Sequence, residues 1–231
     1  VCVAYVRRPP LVGYEPPLVE GFIRTYGEDP RQLDEKDTRW LNYRCCRLTE
    51  FMRELRQEMD AVAREQGRAE PIKITAIVSA REEENLLHGM KVQDWIAQRL
   101  VDTIIPYTMA PNLNSAMESW PDALDAAYWV EMTKDTSCQL SLSILPRWKS
   151  PEDYQRKAAQ LYAVGAESLF FWDSAGPDAR ANHSPSWEAL CRLGHREEIE
   201  TWMREGEPSL HRPGFPLGLL GSYDLSFATP G

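Results

Sequence analysis

The sequence lacks several features that would identify a common class of protein. It has no run of about 18 consecutive apolar residues, so it offers no candidate for a membrane-spanning helix. No glycine-rich phosphate-binding loop follows its early apolar segments, which disfavours a doubly wound nucleotide-binding sheet. Acidic residues outnumber basic ones by 35 to 26, and the net charge of -9 argues against nucleic acid or anionic membranes as partners.

Cysteine and histidine are also sparse and show no metal-binding spacing. No Cys-x-x-Cys pair occurs among the five cysteines, and none of the four histidines has a second potential ligand at a typical spacing. Disulfide frameworks and zinc sites usually show such patterns. We therefore predict buried free thiols and no metal site, and we assign the histidines no catalytic role. The cysteines are Cys2, Cys45, Cys46, Cys138 and Cys191.

The chain does contain short apolar segments that alternate with helical patterns. Its clearest helix, from about Asp37 to Gln66, repeats apolar residues mostly every three or four positions, and Asp37 or Thr38 can cap it. Strands that alternate with helices predict right-handed βαβ units and a parallel sheet. The predicted strands are residues 1–6, 72–78, 101–105, 138–145 and 168–172. The other predicted helices are 18–26, 92–100, one from Ser119, one from Pro151 to near Gly165, one from Ser184, and 197–204.

The first strand sets the expected fold class. Its six apolar or β-favouring residues predict a central strand buried on both faces, and the chain begins inside it without a methionine. We expect an α/β fold, a (β/α)8 TIM barrel that is incomplete, with about five parallel strands and helices. A doubly wound open sheet is the competing fold. The partial barrel would span residues 1–205, followed by a Pro/Gly-rich tail at 206–231.

Polar and aromatic side chains stand where the predicted strands end. In a (β/α)8 barrel, the carboxyl ends of the strands form the active-site face. We therefore expect these side chains to lie on one face of the domain. They are Arg7, Arg81, Tyr107, Trp148, Trp172 and Asp173.

Several segments resemble the family-10-like glycosyl hydrolases, a bacterial group of (β/α)8 barrels. They are Tyr5-Val6-Arg7-Arg8-Pro9, Tyr14-Glu15, residues 26–31 with Asp37, Trp40 and Arg44, Gly89-Met90 with Trp95, and residues 100–106. The resemblance covers about residues 1–175. It implies that residues 1–6 are roughly the fourth barrel strand and that the three strands before it are missing from this fragment. It also implies action on glycosidic bonds, in a bacterial cell-wall glycan or another polysaccharide, without a cofactor.

The chain departs from this family at two carboxylate positions. Members often carry an acid where Ala4 stands, and a Gly-x-Asp pattern where this chain reads Gly89-Met90-Lys91. In the retaining barrels of the large glycosidase clan, glutamates usually lie at the ends of strands four and seven, which correspond here to 1–6 and 138–145. Those ends read Arg7-Arg8-Pro9 and Pro146-Arg147-Trp148 instead. These departures bear on catalysis more than on the fold.

Glycoside hydrolysis normally needs two carboxyl groups that face the scissile bond. The candidate catalytic acids are Asp173, Glu15 and Glu82. Asp173 directly follows a predicted strand, and its alternative role is to cap a helix or tether a loop. Glu15 could instead be a surface acid, and Glu82 could belong to a solvated charge run with Glu83 and Glu84.

The candidate substrate-binding residues are Arg7, Arg81, Tyr107, Trp148 and Trp172. The arginines could hold a substrate carboxylate or form structural ion pairs, and the aromatic rings could stack on sugars or pack in the core. We expect Trp40 and Trp95 to be core residues.

These residues together predict a glycoside-hydrolase-like domain with a carbohydrate substrate. A catalytically silent carbohydrate-binding barrel is the main alternative. A non-glycosidase barrel such as an isomerase or aldolase is the third, although Asp173 to Pro177 is a poor phosphate-binding loop. The sequence does not predict a compartment.

Overall fold

The computed structural model describes residues 1–5, 12–107, 123–144, 151–171 and 193–205, and every element and contact refers to those ranges. The chain divides into two compact units. Unit 1 contains Val1–Tyr107 and Met132–Gln139, and unit 2 contains Thr108–Glu131 and Leu140–Gly231.

The architecture is α/β with five parallel strands, as the alternating pattern predicts. In unit 1 the first three strands pair in sequence order, and in unit 2 the last two strands pair, all in parallel. The strands are β1 (Cys2–Ala4), β2 (Thr75–Ser79), β3 (Thr103–Tyr107), β4 (Gln139–Ile144) and β5 (Ser168–Phe171). The helices are α1 (Pro16–Tyr26), a 3-10 turn (Pro30–Gln32), α2 (Thr38–Glu65), α3 (Glu82–Leu87), α4 (Val92–Ala97), α5 (Ala123–Thr133), α6 (Pro151–Ala163) and α7 (Arg196–Glu205).

In unit 1, the register brings the carboxyl ends of β2 and β3 together. Thr75 lies opposite Thr103 and Ser79 lies opposite Tyr107, so these two strands end at the same level. One residue past β2, the Ala80 N–H donates to the Tyr107 carbonyl over 2.9 Å. The residues that follow β2 therefore emerge at the same edge of the sheet as Tyr107, the last residue of β3.

The first strand is shorter and more exposed than predicted. β1 spans only Cys2–Ala4, and both of these end residues are exposed. It stands first in the sheet order, and it pairs with β2 along one side. An edge strand has fewer neighbours to cover it than a central strand, so the prediction of a central strand buried on both faces is wrong for the described chain.

Helix α2 confirms the strongest helical pattern in the sequence. The Asp37 carboxylate caps it by accepting the N–H of Arg39 at 2.9 Å, and Gly67 adopts a positive φ of 62° just beyond its end. Trp40 is completely buried, whereas Phe51, which the apolar stripe predicts to be inward, is 47% exposed. Helix α4 buries Trp95, as expected, and the indole N–H of Trp95 donates to the Thr49 hydroxyl at 3.1 Å.

Unit 2 has a parallel pair of strands and a packed pair of helices. β4 and β5 pair from Ser141–Ser168 to Ile144–Phe171. Helix α6 begins at Pro151 as predicted, and its buried residues include Tyr154, Leu161 and Tyr162. The Tyr162 hydroxyl donates to the Leu193 carbonyl at 2.6 Å, which ties α6 to the segment leading into α7. The helix predicted from Ser184 and the tail at 206–231 lie outside the described residues.

Within the described ranges, no helix is both long and apolar enough to cross a membrane. Four cysteines fall in these ranges, and all are free thiols, although Cys2 and Cys46 are exposed rather than buried as predicted.

Asp102, just before β3 in unit 1, forms a hydrogen bond and ion pairs with residues before β2 and on α2. Its carboxylate accepts the Ile74 N–H at 2.7 Å and the Arg56 guanidinium at 2.5 Å, and it lies 3.6 Å from the Lys73 ammonium. Burial alone would raise the pKa of Asp102. The Ile74 N–H bond and the two cations outweigh burial and hold the pKa below its ordinary value. Such a carboxylate stabilises the fold above its unfolded-state pKa, and this contribution disappears as the pH falls through the folded-state pKa.

Asp102→Asn should lower the free energy of unfolding by about 1–2 kcal/mol at pH 7, because the amide can still accept the Ile74 N–H but carries no charge. Urea unfolding at pH 7 and at pH 2.5 measures the difference, which should shrink at the lower pH. Asp60→Asn is the matched control, since Asp60 lies 3.6 Å from the same Arg56 but is 45% exposed. It should cost less than about 0.5 kcal/mol. An equal cost of the Asp102 change at both pH values would exclude the charge as the cause.

Candidate functional site

Four of the eight candidate site residues are described, and all four belong to unit 1. They are Glu15, Arg81, Glu82 and Tyr107. The other candidates, Arg7, Trp148, Trp172 and Asp173, lie outside the described residues. Their roles stay predictions.

Glu82 is the first residue of α3 and lies three positions beyond the end of β2. Arg81 before it is exposed and has the extended backbone of a helix N-cap, with φ -105° and ψ 130°. Tyr107, which ends β3, is half-buried, and its carbonyl holds the Ala80 N–H. The sheet therefore brings the backbones of Arg81, Glu82 and Tyr107 to one edge, the carboxyl ends of β2 and β3.

The carboxyl of Glu82 is half-buried, in contrast to the solvated charge run that the sequence suggests. The three consecutive glutamates form the first turn of α3, where the helix dipole favours acids. Glu83 is exposed as expected for a charge run, but Glu82 turns toward the protein interior. Burial raises the pKa of Glu82 to about 7, against the smaller, opposite effect of its hydrogen bond with Asn85. A substantial fraction of this carboxyl is therefore protonated at neutral pH.

Asn85 holds Glu82 to the end of β2. Its side chain is completely buried; Oδ1 accepts the Ser79 N–H at 2.8 Å, and Nδ2 donates to the Ser79 carbonyl at 3.0 Å. The same Nδ2 lies 3.4 Å from Oε2 of Glu82, one turn earlier on α3. Asn85 is a site residue that the sequence analysis missed. The available signal was its spacing of three from Glu82, which places both side chains on one face of a helix.

Arg44 is a buried cation that holds together the segments next to this sheet edge. It is only 4% exposed, and its guanidinium donates to the carbonyls of Val12 at 3.1 Å and Leu87 at 2.8 Å. The guanidinium also lies 5.5 Å from the centre of the Trp40 ring. Gly89 packs against the Arg44 Cβ and backbone with a positive φ of 81°, and a Cβ at Gly89 would lie 3.3 Å from the Arg44 Cβ. Arg44 thus connects the segment before α1, helix α2 and the end of α3.

Glu15 is exposed and helps to form the turn before α1. Its Oε2 accepts the Gly13 N–H at 2.8 Å, and its carbonyl accepts the first free N–H groups of α1. No hydrogen bond or ion pair in the described part of the chain joins Glu15 to Glu82. The structure therefore does not bring these two candidate acids into contact.

Other potentially reactive groups near this edge do not form a second catalytic set. Burial raises the pKa of Cys45 to about 11, so its thiol is not ionised at neutral pH. His88 is half-buried, and burial followed by the charge of Arg44 lowers its pKa. Among the described residues, no cluster of three or more His, Cys, Asp or Glu side chains could hold a metal ion.

The described site therefore consists of a protonatable carboxyl, an amide that orients it, and a cation and a tyrosine at the same sheet edge. Such a carboxyl can donate a proton to a leaving oxygen at neutral pH. The chain matches no protein-family model, and no curated protein shows significant sequence similarity to it.

Proposed function

We propose that the chain is a glycoside-hydrolase-like domain that acts on a polysaccharide or cell-wall glycan. The observation that carries this proposal is the placement of Glu82, a half-buried carboxyl that directly follows a parallel strand and is oriented by the buried Asn85. In a (β/α)8 barrel this edge of the sheet forms the active site. The parallel strands of each unit, alternating with helices, are compatible with part of such a barrel.

In this proposal Glu82 is the general acid. A glycosidase acid must stay protonated near neutral pH so that it can protonate the departing glycosidic oxygen, and enzymes achieve this by burying the carboxyl. The elevated pKa of Glu82 meets this requirement. Asp173 and Glu15 stay the acids that the sequence predicts for the second carboxyl, which acts as nucleophile or base. Arg81 and Tyr107 would contact the sugar beside the scissile bond.

The alternative is a barrel that binds carbohydrate without cleaving it. The contacts of Glu15 favour a barrel without hydrolytic activity. Its carboxylate is exposed and accepts the Gly13 N–H, and it does not contact Glu82. A lone general acid without a second carboxyl does not complete either glycosidase mechanism.

The first test measures the release of reducing ends from bacterial cell-wall glycan and plant polysaccharides between pH 4 and pH 9. Activity should fall as the pH rises through about 7, approaching a tenfold loss per pH unit, because deprotonated Glu82 cannot act as an acid. Glycan binding without any turnover would support the silent barrel instead. A rate that stays constant from pH 7 to pH 9 would exclude Glu82 as the acid.

A further inference from the structure

Tyr14 is an exposed aromatic residue of unit 1 whose ring packs against a buried one. Its ring stacks on the completely buried Trp40, with ring centres 5.2 Å apart and an angle of 20° between the planes. Even so, 44% of the residue is exposed. Since Trp40 covers one face of the ring, that face contributes little to the exposure. Tyr14 is thus a flat apolar surface backed by the core.

Hydrogen bonds hold the loop that carries Tyr14, both before and after this residue in the chain. Two residues before it, the Val12 carbonyl accepts a hydrogen bond from buried Arg44. One residue after it, the Glu15 carboxylate accepts the N–H of Gly13 and closes the turn. The ring is therefore fixed before any ligand arrives, which reduces the entropy lost on binding.

The same arginine relates Tyr14 to the proposed catalytic edge. Arg44 donates to the Leu87 carbonyl as well as to that of Val12. Leu87 and Glu82 are the two ends of α3, which are about 8 Å apart at 1.5 Å per residue. One guanidinium thus ties the Tyr14 loop directly to the short helix that carries the proposed acid.

We propose that Tyr14 is a stacking platform for a neutral pyranose ring, at a subsite beside the catalytic edge. This inference rests on the proposed function and extends it by naming a binding residue and a class of sugar. Pyranose rings present apolar C–H faces that suit an exposed aromatic face. The adjacent Glu15 carboxylate is exposed and can accept hydrogen bonds from sugar hydroxyls.

The negative net charge of the chain favours neutral glycans over acidic ones. A net charge of -9 and a carboxylate next to the platform repel uronic-acid polymers. We therefore expect neutral chains, built from glucose, xylose or N-acetylglucosamine units, to bind better than galacturonate chains of the same length.

Calorimetric titration of the full chain carrying Glu82→Gln, which prevents turnover, tests this platform. The ligands are cellohexaose, xylohexaose, chitohexaose and hexagalacturonate. Tyr14→Leu should weaken binding of the preferred neutral hexasaccharide about five- to tenfold, because leucine still covers Trp40 but offers no aromatic face. Tyr14→Phe should stay within about twofold of the parent, since stacking needs the ring and not the hydroxyl.

Tyr26→Ala is the matched control. Tyr26 is 41% exposed and belongs to the same aromatic cluster through Phe22, but it ends α1, about 15 Å along the helix from Pro16. Its removal should leave sugar affinity unchanged. The platform is wrong if Tyr14→Leu keeps the parent affinity, if Tyr26→Ala costs as much, or if a proline-rich peptide rather than a sugar binds at Tyr14.

The same measurements separate this inference from the proposed function. If the wild-type chain hydrolyses a polysaccharide and Tyr14→Leu changes neither affinity nor KM, the platform alone is wrong. If no hexasaccharide binds and no polysaccharide is cleaved, both the platform and the proposed function are wrong.

Discussion

Glu82→Gln should lower the rate of glycan hydrolysis about 100- to 10,000-fold, the range typical for loss of a general acid. Glutamine has nearly the same shape and can still contact Asn85, but it has no proton of suitable acidity to give to the leaving oxygen. The loss should appear mainly in kcat. Substrates with a good leaving group, such as aryl glycosides, should lose less because their departure needs less protonation.

Glu83→Gln is the matched control for this change. Glu83 is the next residue of the same helical turn, but it is exposed. Its replacement should leave kcat within about twofold of the wild type. A similar loss in both variants would point to a general charge effect, and full activity of Glu82→Gln would remove Glu82 from the catalytic residues.

The pKa of Glu82 can also be measured without a substrate. A carboxyl whose folded-state pKa is raised stabilises the fold below its unfolded-state pKa of about 4.3, and the advantage is lost as the pH rises through the folded value of about 7. Wild-type Tm should therefore fall between pH 5 and pH 8 relative to that of Glu82→Gln. Parallel pH dependence in the two proteins would mean that Glu82 is not held in its protonated form by burial.

Much of the fold was predictable because it depends on local patterns. The N-cap at Asp37 and the spacing of apolar residues in α2 set its ends to within one residue of those expected. Pro151 likewise marked the start of α6. The burial of β1 was not predictable in this way, since an apolar strand looks the same in sequence whether it has one neighbour in the sheet or two.

The positions of the candidate residues along the strands were predictable, but the burial of Glu82 and its raised pKa were not. The apolar segments of the sequence placed Arg81, Glu82 and Tyr107 at the carboxyl ends of β2 and β3, where the structure has them. Helix α3 has only six residues, too few for a hydrophobic period, so its glutamates resembled a solvated run. Burial of Glu82, and hence its raised pKa, depends on tertiary packing that no local pattern records.

The buried role of Arg44 was not predictable for a related reason. Arg44 lies on the long helix between Tyr43 and Cys45, and these neighbours along the chain do not indicate that a cation there is 4% exposed. Its partners are backbone carbonyls 32 and 43 residues away in sequence. Every residue has a backbone carbonyl, so the residue types in the sequence do not reveal which carbonyls a buried arginine will contact.

Asn85→Ala should cost about 3–5 kcal/mol in the free energy of unfolding. The change removes the acceptor for the Ser79 N–H and the donor to the Ser79 carbonyl, and both Ser79 and Asn85 are completely buried. Each backbone group left unpaired away from water costs about 1–3 kcal/mol. Urea unfolding at pH 7 measures the difference, and Asn42→Ala, which removes an exposed amide from α2, should stay within about 0.5 kcal/mol of the wild type.

Asn85→Asp separates the structural role of Asn85 from its effect on Glu82. The aspartate can still accept the Ser79 N–H, but its second oxygen faces the Ser79 carbonyl and Glu82 Oε2 where an N–H donor stood. A second carboxyl beside Glu82 favours the protonated form, so the pKa of Glu82 should rise and the alkaline limb of the activity profile should move to higher pH. A profile that moves to lower pH, or stays fixed while stability falls, would show that Asn85 supports the strand end without acting on Glu82.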